Sequence, residues 1–229
     1  MTLSNAFWKL LGLKKVYGGV PVIEYFQKSS DKLLTALLEH IEISGLSLLF
    51  ALILAALVTV VLLSRVELRQ ASVYVLSLFY AIPSFALFAL LIPLTGLGRT
   101  TAIIVLVIYA QYTLVRTFLA GFTQIDSSIL EVAKGMGMTS WQILTKVQLP
   151  LAQRSIFAGI RLAANSIIAI ATIAATINAG GLGTILFDGL RTMSMPKLLW
   201  GILLTVGLSL LTNIVIYLVE ELIKPEKVS

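Results

Sequence analysis

Covalent chemistry has few residues to work with in this chain. There is no cysteine and a single histidine, His40, which excludes disulfides, thiol nucleophiles and Cys-ligated metals and leaves no histidine cluster for zinc or a proton relay. The long apolar stretches hold no paired carboxylates and no His–Ser set, which disfavours an intramembrane enzyme. No acid sits midway along any of them, which disfavours an ion-coupled carrier. Gly96-Leu97-Gly98-Arg99-Thr100 does not fit a Gly-x4-Gly-Lys-Ser/Thr phosphate loop, and no other stretch does. If ATP drives this protein, it is hydrolysed on another polypeptide.

The informative spacing lies in a polar stretch, residues 126–150, between long apolar runs. Ser128-Ile129-Leu130-Glu131 has the Ser-x-x-Glu spacing of a capping box, a hydroxyl for a free backbone N–H and a carboxylate reaching back. Gly135 and Gly137 can stop that helix, because glycine tolerates the left-handed conformation of a helix C-terminus. Thr139-Ser140-Trp141-Gln142 repeats the capping pattern, and the second helix is expected to end near Pro150, which lacks an N–H. Ile129, Leu130, Met136, Met138, Trp141 and Ile143 would form an exposed apolar patch unless a soluble partner or lipid covered them. The plainer reading is a simple connector with Glu131 completing a cap, and capping is compatible with docking.

Of the 229 residues, 58% are hydrophobic and 12% charged, and mean hydropathy is +0.98. A soluble domain carries about 25% charged residues, so the composition predicts an all-α integral membrane protein. A span takes about 20 apolar residues to cross about 30 Å of hydrocarbon. Five stretches meet that length: 43–64, 71–94, 100–122, 155–177 and 198–219. Arg116 interrupts the third, where it can snorkel to the headgroups, and Pro83 and Pro93 are expected to kink the second. Residues 178–197 are too short and glycine-rich for another crossing.

Residues 1–40 read as an amphipathic interfacial segment, 41–224 as the transmembrane domain and 225–229 as a cytoplasmic tail. Leu3, Ala6, Phe7, Leu10 and Leu11 make a helical stripe; Lys9, Lys14 and Lys15 interrupt it, unlike a cleavable signal peptide. A second stripe, Leu33, Leu34, Leu37, Leu38 and Ile41, leads into the first span. With residues 126–150 in the cytoplasm, nine Lys and Arg lie inside (Arg65, Arg69, Arg116, Lys134, Lys146, Arg154, Arg161, Lys224, Lys227) and three outside (Arg99, Arg191, Lys197). Five spans then put Lys9, Lys14, Lys15, Lys28 and Lys32 outside, which narrows the tally to nine against eight; either the tail is an external interfacial helix whose lysines bind headgroups, the reading preferred because 1–40 holds no sufficiently apolar run, or the tail itself crosses. The net charge of +6 is scattered rather than clustered, so nucleic acid is not an expected partner.

Glu131-Val132-Ala133, three residues, Gly137, nine residues, Val147-Gln148-Leu149-Pro150 resembles the cytoplasmic loop signature of ATP-binding-cassette (ABC) importer permeases, with Val132 and Val147 as mild departures. The resemblance implies the five-helix type I (MetI-like) permease fold, with 126–150 as the coupling helix and Glu131, Ala133, Gly137, Met138, Trp141, Leu149 and Pro150 against the ATPase. It implies cytoplasmic ATPase subunits carrying ATP and Mg, a second permease, identical or homologous, and an external binding protein. It also implies no cofactor on this chain and a bacterial or archaeal plasma membrane. Ala179-Gly180-Gly181-Leu182-Gly183, Leu186–Leu190, Lys134–Thr139, Leu149–Ala152, Ala158–Arg161, Ala81–Phe85 and Gly96–Gly98 resemble the branch that imports glycine betaine, carnitine and choline. Methionine permeases share the glycine turn and are the alternative within the family; a membrane scaffold or sensor recruiting a cytosolic partner is the alternative outside it.

Within that frame Tyr80, Phe85, Tyr109, Tyr112, Asn165 and Ser166 are translocation-path candidates. Aromatic faces attract a quaternary ammonium, which cannot donate N–H hydrogen bonds; the other reading of such residues is packing. Gln111, Asn165 and Ser166 either line a path or bond a neighbouring helix. Gly180, Gly181 and Gly183 form either a gate-adjacent segment or a flexible external turn. Asp188 is expected to be a solvated external carboxylate, and His40 an interfacial residue at the head of the first span.

Overall fold

The computed structural model describes residues 22–223, and these are helices and the turns joining them. The stripe from Leu3 to Leu11, with Lys9, Lys14 and Lys15, lies outside the described residues, as do Lys224, Lys227 and the tail 225–229. The helices are α1 (Val22–Ser64), α2 (Val66–Ala81), α3 (Ser84–Thr95), α4 (Arg99–Thr123), α5 (Ser127–Gly135), α6 (Ser140–Ile143), α7 (Leu149–Ala174), α8 (Leu182–Arg191) and α9 (Met195–Ile223).

Four helical segments are long and apolar enough to cross a membrane: α1, α4, the run Ser140–Ile177 that contains α7, and α9. The pair α2 and α3, bent by 93°, makes a fifth if it counts as one broken span. The break is at Ile82–Pro83, where proline can neither donate an N–H nor let the preceding residue stay helical. The Tyr109 hydroxyl donates to the Ile82 carbonyl freed there. Pro93 sits within α3 without ending it.

α1 has 43 residues, about 65 Å at the helical rise and twice what a bilayer core needs. The expected boundary at 40/41 falls inside this helix; its one non-helical residue is Ser29. Leu33, Ala36 and His40 are buried, so packing against the bundle begins well before residue 41. Leu34, Leu38 and Ile41, expected on the same stripe as Leu33, face outward. Near its start α1 meets the head of α9, where Phe26 stacks on Trp200 at 4.7 Å and Trp200 Nε1 donates to the Val22 carbonyl at 2.9 Å.

α4, the span interrupted by Arg116, is the most buried of them and lies between α1 and α7. Val105, Leu106, Leu114, Val115 and Phe118 form the middle of the core. Small residues let α4 and α7 approach: a Cβ on Gly159 would lie 2.0 Å from Thr117 Oγ1, and one on Gly121 2.8 Å from Ser155 Cβ.

Pro150 does not terminate a helix. Residues Leu144–Gln148 form a π-helical turn in which the Leu149 N–H reaches back five residues to the Leu144 carbonyl, and α7 follows directly. The wide turn places Pro150 in the first turn of α7, where an N–H has no obligatory partner.

Candidate functional site

At one end of the bundle α5 and α6 fold into a compact pair. Asp126 caps α5, its Oδ1 accepting the Ser128 N–H at 2.9 Å. The capping box expected to start at Ser128 is therefore displaced: Ser128 is inside the helix, and Glu131 is exposed beyond the cap rather than reciprocating it. Hydrogen bonds from Ser128 hold the Asp126 carboxyl below the usual carboxylate range. α5 closes as expected on Gly137, whose φ is +78°, with the Met138 N–H bonding the Ala133 carbonyl at 3.2 Å. The second capping box forms in full: Gln142 N donates to Thr139 Oγ1 at 3.3 Å and Thr139 N to Gln142 Oε1 at 2.8 Å.

Glu131, Gly137 and Trp141 lie on the surface of this pair and Leu149 and Pro150 on that of the first turn of α7, while Met138 is half-buried. Ala133 is 4% exposed, so it faces the protein rather than outward. The apolar patch is also redrawn. Ile143 is buried and Leu130 half-buried, while Met136 and Trp141 are 77% and 71% exposed and Ile129 and Val132 stand beside them in the chain, also exposed. Behind the pair Arg69 donates to the Leu62 and Leu63 carbonyls at 2.8 and 2.7 Å, satisfying the C-terminal end of α1.

At the opposite end the glycine turn is pinned, not flexible. Gly180 and Gly181 have φ of +88° and +82°, a region L side chains avoid. Glu39 Oε2 accepts the Gly181 N–H at 2.9 Å and His40 Nδ1 the Leu182 N–H at 3.3 Å, while His40 Nε2 meets the Ile168 carbonyl at 3.1 Å. Those partners require the neutral tautomer with its proton on Nε2. His40 is thus fully buried and structural, not interfacial. Arg99 ties in the same end through Glu39 and Glu42, at 3.2 and 2.8 Å. Asp188 is not simply solvated: Lys197 at 2.6 Å and Arg191 at 3.0 Å bracket it and hold its carboxyl below the usual range.

The path candidates separate into groups. Tyr80 packs against Tyr109 and Tyr112 with ring centres 5.8 and 5.1 Å apart. Phe85 is exposed beyond the break and outside that cluster. Asn165 Oδ1 accepts from Ser209 Oγ at 2.9 Å and Asn213 Nδ2 at 2.7 Å, joining α7 to α9. Ser166 is half-buried, with no side-chain hydrogen bond among the described residues. Gln111 bonds the Ala51 carbonyl on α1 at 3.1 Å, which answers the packing alternative. The sequence reading also missed the pairing of Arg161 with the buried Glu220, whose own carbonyl accepts from Gln153. Charges at the ends of two apolar runs were the only signal available.

Residues 47–227 match the family described as the binding-protein-dependent transport system inner membrane component. The chain belongs to that family. Among its curated relatives is the carnitine transport permease protein OpuCB of Listeria monocytogenes, 35% identical over 90% of this chain and 95% of its own length. Another is the choline transport system permease protein OpuBB of Bacillus subtilis, 30% identical over 89% and 94%. In three dimensions the fold resembles a chain of the MetNI methionine ABC transporter in an inward-facing conformation, with TM-score 0.75 and 21% identity over 82% of this chain and 94% of that one. As an inner membrane component of an ABC importer, this multi-pass chain is not itself an enzyme; the ATPase is a separate subunit, and a substrate-binding protein works with the family in general.

Proposed function

We propose that this chain forms the membrane pathway for a quaternary-ammonium osmoprotectant such as glycine betaine, carnitine or choline. The observation that carries this reading is the pair of relatives named for carnitine and choline, each matched along about nine-tenths of both chains. The α5–α6 end is the cytoplasmic end, where Lys and Arg are in excess, and the Gly180 turn is the external end, where a binding protein delivers substrate. Glu131, Gly137, Met138, Trp141, Leu149 and Pro150 meet the ATPase, and Ala133 shapes the helix from behind. Exposed Ile129, Val132, Met136 and Trp141 support this: an apolar patch with no covering among the described residues is a surface for a partner. A second permease completes the pathway about a two-fold axis, and MgATP closure of two ATPases rocks the spans between inward- and outward-open states.

The test is uptake by proteoliposomes holding the chain with its partner permease, ATPase and binding protein. ATP-dependent accumulation of labelled betaine, carnitine or choline, with none of methionine, is the expected result. Accumulation of methionine alone would overturn the reading.

A further inference from the structure

Arg116 is a guanidinium on a span, with no counter-ion among the described residues. One N–H donates to the Tyr112 hydroxyl at 2.8 Å, and the guanidinium carbon lies 5.7 Å from the centre of the Tyr112 ring. Arginine has five N–H donors, and no other partner for Arg116 occurs among the described residues. It opens on a groove of about 550 Å³ between α2 and α4, lined also by Arg69, Gln70, Tyr74, Ser77 and Tyr112, with no carboxylate in the lining. Arg69 is already committed to the α1 carbonyls. That leaves Arg116 as the cation of the groove with no carboxylate partner among the described residues.

Tyr112 and Tyr109 precede Arg116 by four and seven residues, so all three share one face of α4. Tyr80 packs on both rings from α2. The guanidinium therefore lies against the Tyr112 ring, and the Tyr80 ring, 5.1 Å from that of Tyr112, continues the strip as its aromatic end. That polarity complements a small zwitterion. A guanidinium pairs a carboxylate bidentately, and ring faces attract a quaternary ammonium. A ligand with the ammonium alone would gain the rings but be repelled by Arg116.

Resting on the substrate class proposed above, we infer that Arg116, Tyr80 and Tyr112 form a binding site for ammonium carboxylates in the pathway, with the buried Tyr109 packed behind the rings, and that Arg116 reads the carboxylate. The site favours betaine and carnitine over choline whatever the binding protein prefers.

The test uses the permease–ATPase complex in lipid nanodiscs without binding protein, titrated with glycine betaine and with choline and read by saturation transfer to their methyl resonances. The wild type is expected to hold betaine more tightly than choline. Arg116→Gln should weaken betaine about tenfold or more, the loss of a charge-assisted bond, and leave choline unchanged or tighter; Tyr80→Leu should weaken both. If Arg116→Gln does not assemble, Arg116→Lys retains the charge without the fork and should still narrow the preference. Equal weakening of both ligands by the Arg116 variants would make Arg116 a headgroup anchor or a packing residue, and an unchanged preference would make it a bystander; either overturns the site. Wild-type proteoliposomes that import neither ligand would remove the substrate class first, and this site with it.

Discussion

Gly183 offers the sharpest test of the packing at the glycine turn. A Cβ at that position would lie 1.9 Å from the Thr172 carbonyl oxygen, 2.7 Å from its carbon and 2.8 Å from Ala175 Cβ. These are backbone atoms and a methyl group, with no flexible side chain to swing aside. Moving from 1.9 Å to an ordinary 3.4 Å contact needs a retreat of about 1.5 Å. α8 cannot make it freely, because the Gly181 and Leu182 N–H groups are held by Glu39 and His40. Gly183→Ala should therefore cost overpacking of about 1–3 kcal/mol plus about 1–3 kcal/mol for an amide left unsatisfied. Gly207 on α9 is the control: a Cβ there meets nothing within 4 Å, so Gly207→Ala should gain about 0.5–1 kcal/mol from helix propensity. The assay is the apparent melting midpoint of the purified permease–ATPase complex in detergent, followed by size-exclusion chromatography. A fall of roughly 10 °C is expected for Gly183→Ala and a small rise for Gly207→Ala. A Gly183→Ala complex melting within about 2 °C of wild type would refute the close contact between α8 and α7.

Other outcomes follow from contacts described above. Removing Arg161 as Arg161→Leu strands Glu220 in a buried site and should cost about 3–5 kcal/mol; the double variant Arg161→Leu/Glu220→Leu should recover most of the lost melting midpoint. Trp141→Ser, together with Met136→Ser, should lower retention of the ATPase on purification while leaving the melting midpoint of the permease alone unchanged, since both side chains are exposed. Asp126 has a carboxyl held below its unfolded value, so the stability it lends α5 is complete above that unfolded value and is lost as pH falls through the lower, folded one. Amide exchange at Ser128 should stay slow from neutral pH down past the ordinary carboxylate range and accelerate only below it, and Asp126→Ala should show fast exchange throughout.

The spans, the α5–α6 pair and the glycine turn were legible because each is written in local spacing. Twenty apolar residues specify a crossing whatever lies beside it, and Thr139 to Gln142 caps a helix with partners three residues apart. Local rules failed where two of them competed. Asp126 and Ser128 are both good caps, and Asp126 took the position by starting the helix at Ser127. Pro150 was expected to end a helix, yet the π turn before it removed the conflict that makes proline a terminator. What could not be read at all depends on distant residues. His40 finds its partners at Ile168 and Leu182, Arg161 finds Glu220, and Asn165 finds Ser209 and Asn213. Each looks unpartnered in its own helix, and only the packing of α1, α7, α8 and α9 supplies the other half.

Ser140 to Ile177 forms a single helical stretch of 38 residues, roughly 57 Å from end to end. Trp141 stands at one tip and the glycine turn begins just past the other. Treated as a lever, a rod of that length converts a tilt of only about 5° at one membrane face into about 5 Å of travel at the opposite face. Its two ends then need no chain of switching side chains between them to move together. The π turn at Leu144–Gln148 and the 3-10 turn at Ala175–Ile177 are the departures from α-helix within it, and there such a tilt could be absorbed.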